Sequence, residues 1–236
     1  MNTDQPLPPE TDLSSLSTLE RWTRALRALG RVMADPERTD QVLVFSNYAN
    51  AGSMPKRLDR FFESPSGAKL YAEHRAIDSR TIDLDVLAAL PEGTLGHAYA
   101  RFLRSRGFTP DVFDGPPENV TDPRASYVIQ RMRQTHDLWH VVTGHDTNPA
   151  GEVALQAFTY GQVAAPSTLI LSAVGTLRGL REVPTLPRDV IAAYVRGRRA
   201  EKLIAFPWED HWATPLVEVR AMLGLPANPQ PTRAAA

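Results

Sequence analysis

The chain has 236 residues, 42% of them hydrophobic and 22% charged, with a formal net charge of −1 and no cysteine. That length can bury a substantial core in one large or two small domains, and the near-neutral balance leaves no electrostatic footprint for nucleic acid. Without cysteine there are no disulfides, thiolate metal sites or cysteine nucleophiles, which fits a reducing cytoplasm. No purely apolar run reaches the roughly 20 residues of a membrane-spanning helix.

Residues 1–15, MNTDQPLPPETDLSS, are acidic and proline-rich. They lack the apolar core of a signal peptide and the arginine-rich pattern of a transit peptide, so a disordered tail is expected. Ser17-x-x-Glu20 forms a capping box. Leu19, Trp22, Leu26, Leu29 and Met33 then recur at spacings of 3 and 4, which predicts a helix with that face inward. Asp35-Pro36 ends it. Further helices are expected over 39–48, 55–63, 66–73 and 82–90. Thr94 caps a helix running to Arg106, with Leu95, Tyr99, Phe102 and Leu103 inward and Gly107 closing it. His97 on this helix reads equally as exposed or functional. Residues 110–124 carry four prolines and read as a long loop, of the kind that often serves a site.

The stretch after that loop carries the chemistry. On a helix over 127–142, with about 100° per residue, His140 lies about 40° and Asp137 about 100° from His136. Two imidazoles at i and i+4 form a helical metal-binding pair, and the adjacent carboxylate shares their face. Gly144 ends the helix, and Asn148-Pro149 supplies an N-cap and first position for the next. Glu152 then falls in the first turn, and a short antiparallel connection folds it back beside the histidines. His136, Asp137, His140 and Glu152 are the candidate metal ligands. Two nitrogens and two carboxylates suit zinc, iron or manganese better than calcium, with a position open for water or substrate. Zinc is the first expectation, with iron, manganese and magnesium as alternatives. His145 and Asp146 read as loop and cap residues. Arg133 reads as an ion-pair partner of Asp137, as solvent-exposed, or as a clamp for a substrate carboxylate. Gln156 and Tyr160 follow Glu152 on the same stripe, with Gln156 a candidate hydrogen-bond partner of the ligands or an interhelical tie.

Residues 163–180 are the most hydrophobic part and read first as a core helix, otherwise as a dimer face or a wall for a lipid tail. Residues 188–202 form a basic amphipathic helix, either solvated or lying on anionic lipid. A final helix spans about 215–223. No strand pattern recurs. The expected fold is all-α: one multi-helix bundle over 16–225, with a metal site between two adjacent helices and tails at 1–15 and 226–236.

The pattern H-D-x-x-H, eleven residues, E at His136–Glu152 resembles the signature of the coenzyme Q biosynthesis protein four family. Leu90-Pro91-Glu92-Gly93-Thr94-Leu95-Gly96 with Tyr99 and Phe102 is similar to a second stretch of that family. Phe206-Pro207-Trp208-Glu209-Asp210-His211-Trp212, then Pro215-Leu216 and Arg220, is similar to its C-terminal segment. The likeness runs from about Leu19 to Leu225. It implies ubiquinone biosynthesis on a polyprenylated 4-hydroxybenzoate, with metal-dependent loss of the carboxylate from the first ring carbon coupled to hydroxylation there. Asp137 and His140 would be catalytic. The alternative it implies is a non-catalytic lipid-binding organiser of the ubiquinone-biosynthesis complex. Expected partners are the prenylated aromatic lipid, other proteins of the pathway, an anionic membrane surface and a second copy of the chain. Without a mitochondrial address, a bacterial cytoplasmic protein, peripheral on the inner membrane, is expected. A metal-dependent phosphohydrolase would need further ligands, and His74, His97 and His211 lack acidic companions at ligand spacing.

Overall fold

Ser17 Oγ accepts from the Glu20 amide and opens helix α1, Thr18–Ala34, in a computed structural model that describes residues 12–35, 38–110 and 115–229. Ten more helices follow: α2 Thr39–Ala51, α3 Met54–Phe62, α4 Pro65–Ala72, α5 Leu84–Ala88, α6 Leu95–Arg106, α7 Pro123–Thr143, α8 Pro149–Val163, α9 Pro166–Gly179, α10 Leu186–Arg199 and α11 Leu216–Met222. The described residues contain no strand, only an isolated antiparallel bridge between Thr94 and Pro215. The fold is all-α.

The main core gathers α3, α5 to α8, α10 and α11 around Trp139, Leu138, Phe158, Leu155 and Trp208, all fully buried. A second cluster joins α1 to α2 through Ala25, Ala28, Leu29, Phe45 and Ala49, with Ile170 and Leu171 of α9 against it. The inward face of α1 is only partly the expected one: Leu29 and Trp22 pack in this cluster, but the rest of the stripe does not. Leu19, Leu26 and Met33 are 80%, 58% and 45% exposed. The small residues Ala25 and Ala28 admit α2 closely, and the buried stripe is turned toward them.

Helix α9 also departs from expectation. Its buried positions are Ser167, Thr168 and Ser172, while Leu169 and Leu177 point outward. A Cβ on Gly175 would collide with Val153 of α8. The helix therefore approaches its neighbours through small residues and is not a central core helix.

Helices α8 and α10 cross with backbone against backbone. A Cβ on Gly197 would run into the Phe158 carbonyl, and one on Gly161 would lie 2.6 Å from the Tyr194 carbonyl oxygen. Gln162 bolts the crossing, donating to Gly197 O at 2.6 Å and accepting from Leu203 N at 2.9 Å.

Two sequence stretches meet in space at the far end of α6. Leu95 N donates to Thr214 O, Gly96 N to Trp212 O and Leu216 N to Gly93 O, at 2.7–2.9 Å. Trp212 stacks on Tyr99, with ring centroids 5.6 Å apart. A side chain on Gly96 would strike Leu90 and the Trp212 carbonyl, so the glycine permits this docking. Residues 12–15 and 226–229, expected in the tails, are placed against the bundle. Leu13 is buried, Asp12 accepts from Thr121 N at 2.7 Å, and Pro229 lies over Gly144.

Candidate metal centre

Helix α7 begins at the Asp122 N-cap and ends where Gly144 takes a left-handed conformation, φ 74°. A residue with a Cβ pays a steric penalty there. The chain then turns through His145–Thr147. Asn148 Oδ1 accepts from Gly151 N at 2.8 Å, and Pro149 opens α8. A Cβ on Gly151 would collide with the Asp146 carbonyl. These local devices make the connection tight and bring the first turn of α8 beside the last turns of α7.

The two imidazoles meet there edge to face, with Nε2 of His136 3.3 Å from Nε2 of His140. The Glu152 carboxylate spans both, Oε1 3.1 Å from His140 Nε2 and Oε2 3.7 Å from His136 Nε2. Asp137 offers an oxygen such that one donor atom from each of His136, Asp137 and His140 lies within 4.8 Å of the others. Bonds of 2.0–2.1 Å to a tetrahedral ion would set neighbouring donors about 3.3 Å apart. The His–His and His140–Glu152 separations match that edge, and two imidazoles with carboxylates are the donor chemistry of zinc or non-haem iron. The residues present fit a divalent metal.

His140 is held from behind its ligating nitrogen by two contacts. Its Nδ1 donates to the backbone carbonyl of His145 at 2.9 Å, which leaves Nε2 as the ligating nitrogen. Its ring stacks on Phe102 of α6, 5.6 Å between centroids. The Arg106 guanidinium lies 4.0 Å from the Phe102 centroid and pairs with Asp146 at 2.7 Å. His145 is itself buried, and its Nε2 accepts from Arg196 at 3.1 Å.

The electrostatics follow from burial and neighbours. Burial opposes ionisation of Glu152, but hydrogen bonds and charge from His136 and His140 outweigh it and hold the acid down at about 2. Burial likewise disfavours charged His136, yet Glu152 and Asp137 raise it above the usual imidazole range. Asp137 is pushed upward, first by burial and then by the Glu152 charge, against the pull of the histidines. Burial, then the charges of Arg196 and His140, drives His145 down to about 3.

The remaining candidates lie elsewhere. Arg133 donates to Asn47 of α2 at 3.2 Å, with Glu118 as its negative neighbour, rather than pairing with Asp137. Tyr160 stacks on Tyr194 of α10, 5.8 Å between centroids. Gln156 is half-buried on α8 and holds none of the four ligands through a hydrogen bond. His97 Nδ1 donates to Leu90 O at 3.1 Å, which ties α6 to the segment before it. Asp146 serves the loop, as expected for it. The sequence reading missed the His145 carbonyl, the Phe102 stack and Arg131, which is 1% exposed and pairs with Glu209 at 2.7 Å.

A sequence profile of the family described as "Coenzyme Q (ubiquinone) biosynthesis protein Coq4" matches residues 12–229. The chain belongs to the Coq4 family. Among its relatives, the Rattus norvegicus mitochondrial ubiquinone biosynthesis protein COQ4 homolog is 32% identical over 214 residues, covering 90% of this chain and 80% of that protein. The Homo sapiens mitochondrial homolog is 32% identical over 215 residues, covering 90% and 81%. A crystal structure of a Nostoc punctiforme protein described as a ubiquinone biosynthesis protein superposes with a TM-score of 0.69 at 32% identity, over 85% of this chain and 96% of that one. The match to the Coq4 profile contains both docked stretches, 90–102 and 206–220, as well as all four candidate ligands.

Proposed function

We propose that this chain acts in ubiquinone biosynthesis, as a metal-dependent enzyme that removes the C1 carboxylate of a polyprenylated 4-hydroxybenzoate as carbon dioxide and leaves a hydroxyl in its place, with dioxygen as the oxidant that takes up the two electrons released. The observation that supports this most directly is the facing pair of imidazole nitrogens at 3.3 Å with Glu152 across them. His136, Asp137, His140 and Glu152 would hold the divalent ion, zinc first, with iron, manganese or magnesium as alternatives. When bound, it supplies Lewis acidity toward the negative charge that develops on substrate oxygen as carbon dioxide leaves.

The chain's own residues do the rest. Glu152 stays ionised across the neutral range because two imidazoles favour its charged form. In the alternative in which Asp137 does not ligate the ion, its carboxylate is placed to carry a proton at the centre. Phe102 and the burial of His140 exclude water from one side of the centre. Arg133, Gln156 and Tyr160 lie outside this group and have no assigned part in it.

The surface is compatible with a lipid substrate and a peripheral setting. None of the described helices is long and apolar enough to cross a membrane. Exposed Ile191 and Val195 of α10 lie among exposed Arg188, Arg198 and Arg199, a composition suited to an anionic membrane face. Exposed leucines on α9 leave apolar area for a second copy or another pathway protein. On this reading the protein is cytoplasmic and peripheral on the inner membrane.

The test is metal analysis of purified wild type beside His140→Ala, then incubation with a polyprenylated 4-hydroxybenzoate under air and mass analysis of the lipid. Stoichiometric metal in the wild type only, with loss of carbon dioxide and gain of oxygen, is expected. Bound lipid of unchanged mass would establish the organiser instead. Absence of metal from the wild type, or full turnover by metal-free His140→Ala, would overturn the metal mechanism.

A further inference from the structure

Helix α3 carries an arginine that the metal centre does not use. Arg57 is 8% exposed, and its Nε and Nη1 meet no acceptor. Burial, then the charge of Arg60, lowers its affinity for a proton, to about 10, so it is still a cation at neutral pH. A buried guanidinium is strongly unfavourable unless counter-charge or acceptors compensate it. The described chain provides Arg57 with neither.

The side chain lines a cavity of about 160 Å³ between α3, the start of α7, the end of α8 and residues 202–205. Its charged lining residues are Arg57, Arg60 and Lys202, and no carboxylate lines it. Lys202 is pushed down as well, by burial and then by the charges of Arg198 and Arg60, with Glu201 offsetting only part. Each cation thus raises the cost of the others. The C-terminal end of α8 supplies about half a negative charge at most, which does not balance three. The Gln162 side-chain oxygen is already taken by Leu203 N. Arg60 and Lys202 are exposed at the rim, so solvent reaches the cavity.

We propose that this cavity binds a phosphate group, held by Arg57 from below and by Arg60 and Lys202 at the mouth, with the Ser64 hydroxyl as a neutral contact. Guanidinium and ammonium groups converging on one small space match a multiply charged oxyanion. Free phosphate and a phospholipid headgroup share that chemistry. The site is distinct from the metal centre. Val128, on its wall, precedes His136 by eight residues, about 12 Å along α7, and Gln162 lies ten residues past Glu152, about 15 Å along α8.

The experiment uses the full chain. Calorimetry and thermal denaturation are run with sodium phosphate against sodium chloride at matched ionic strength. A second arm measures co-sedimentation with phosphatidylcholine vesicles, with and without phosphatidic acid. Metal content of every variant is recorded, so a failure here is separable from a failure of the metal reading. One phosphate per chain and a raised Tm are expected, or, if the source is lipid, binding that requires phosphatidic acid. Arg57→Met should weaken that binding at least about tenfold, while leaving the ligand-free protein as stable as wild type or more so, because an unpaired charge is removed. Lys202→Gln, at the rim, should weaken binding with the fold intact. Three outcomes would overturn the proposal: no binding in either arm, equal binding by wild type and both variants, or marked destabilisation of ligand-free Arg57→Met.

Discussion

Nδ1 of His140 lies 2.9 Å from the backbone carbonyl oxygen of His145, while the His145 ring accepts from Arg196 of α10. The residue thus orients a candidate ligand through its backbone and is itself kept neutral through its side chain. Its folded pKa, about 3, lies below the ordinary 6.5. Between those values the unfolded chain binds a proton that the folded chain refuses, so stability rises with pH there and falls as the solution is acidified. His145→Gln keeps the carbonyl and removes the titration. Urea denaturation at pH 7 and pH 5 should show the wild type losing about 2 kcal/mol more than His145→Gln over that interval. Equal losses would show that His145 ionises freely in the folded protein.

His136 and Glu152 give the opposite signs. The folded pKa of His136 is raised, so its contribution is present below about 6.5 and lost as pH rises through the folded value. Glu152 is depressed from 4.5 to about 2, and its contribution is present above 4.5 and lost as pH falls toward 2. In metal-free protein, NMR titration should place the His136 midpoint above 6.5, and Glu152→Gln should lower it. Because protons compete with metal for the same nitrogens, metal retention should fall on acidification. An unmoved His136 midpoint in Glu152→Gln would mean that the carboxylate does not act on this ring.

Gly197→Ala tests the α8–α10 crossing. The added methyl would run into the Phe158 carbonyl, a backbone atom that cannot swing aside. The helices must separate, which should cost about 1–3 kcal/mol despite the better helix propensity of alanine. Gly30→Ala, where nothing lies within 4 Å of the new Cβ, should instead be neutral or stabilising. Denaturant midpoints of the two variants decide the point.

What could be read from the sequence divides along physical lines. The α7–α8 corner was legible because every device in it is local: Gly144 for the left-handed turn, Asn148 for the cap, Pro149 for the first position, and the four-residue step from His136 to His140. The face of α1 was legible only in part. Periodicity locates apolar residues on a helix, but a partner decides which face is covered, and α2 chose Ala25 and Ala28 over Leu19 and Leu26. In α9 the apolar run does not mark the buried face: Ser167, Thr168 and Ser172 are the buried positions, while Ile170 and Leu171 are only partly covered. The His145 carbonyl left no trace in side-chain identity, since every residue supplies the same atom. Nothing in the sequence marks Arg57 or Arg131, because no local pattern reveals that a helix will turn an arginine inward.

Arg131 and Glu209, 78 positions apart, carry the last prediction. The guanidinium makes two bonds to the carboxylate, at 2.7 and 3.1 Å, and reaches Phe206 O at 2.9 Å. It thereby pins the segment that carries Trp208, whose fully buried ring closes the core, and Trp212, which stacks on Tyr99. Removing one partner strands the other charge at low solvent access and should cost about 3–5 kcal/mol. Arg131→Met should be the more damaging single change, because it also takes the guanidinium donors from the Ile204 and Phe206 carbonyls. Glu209→Gln keeps an acceptor and should cost less. The double variant should be more stable than the sum of the singles predicts, because the two losses share one interaction. A double-mutant cycle by chemical denaturation measures this, with near-ultraviolet circular dichroism following the tryptophans. Additive losses would mean that the pair contributes no coupling and that Trp208 packing alone holds the C-terminal segment in place.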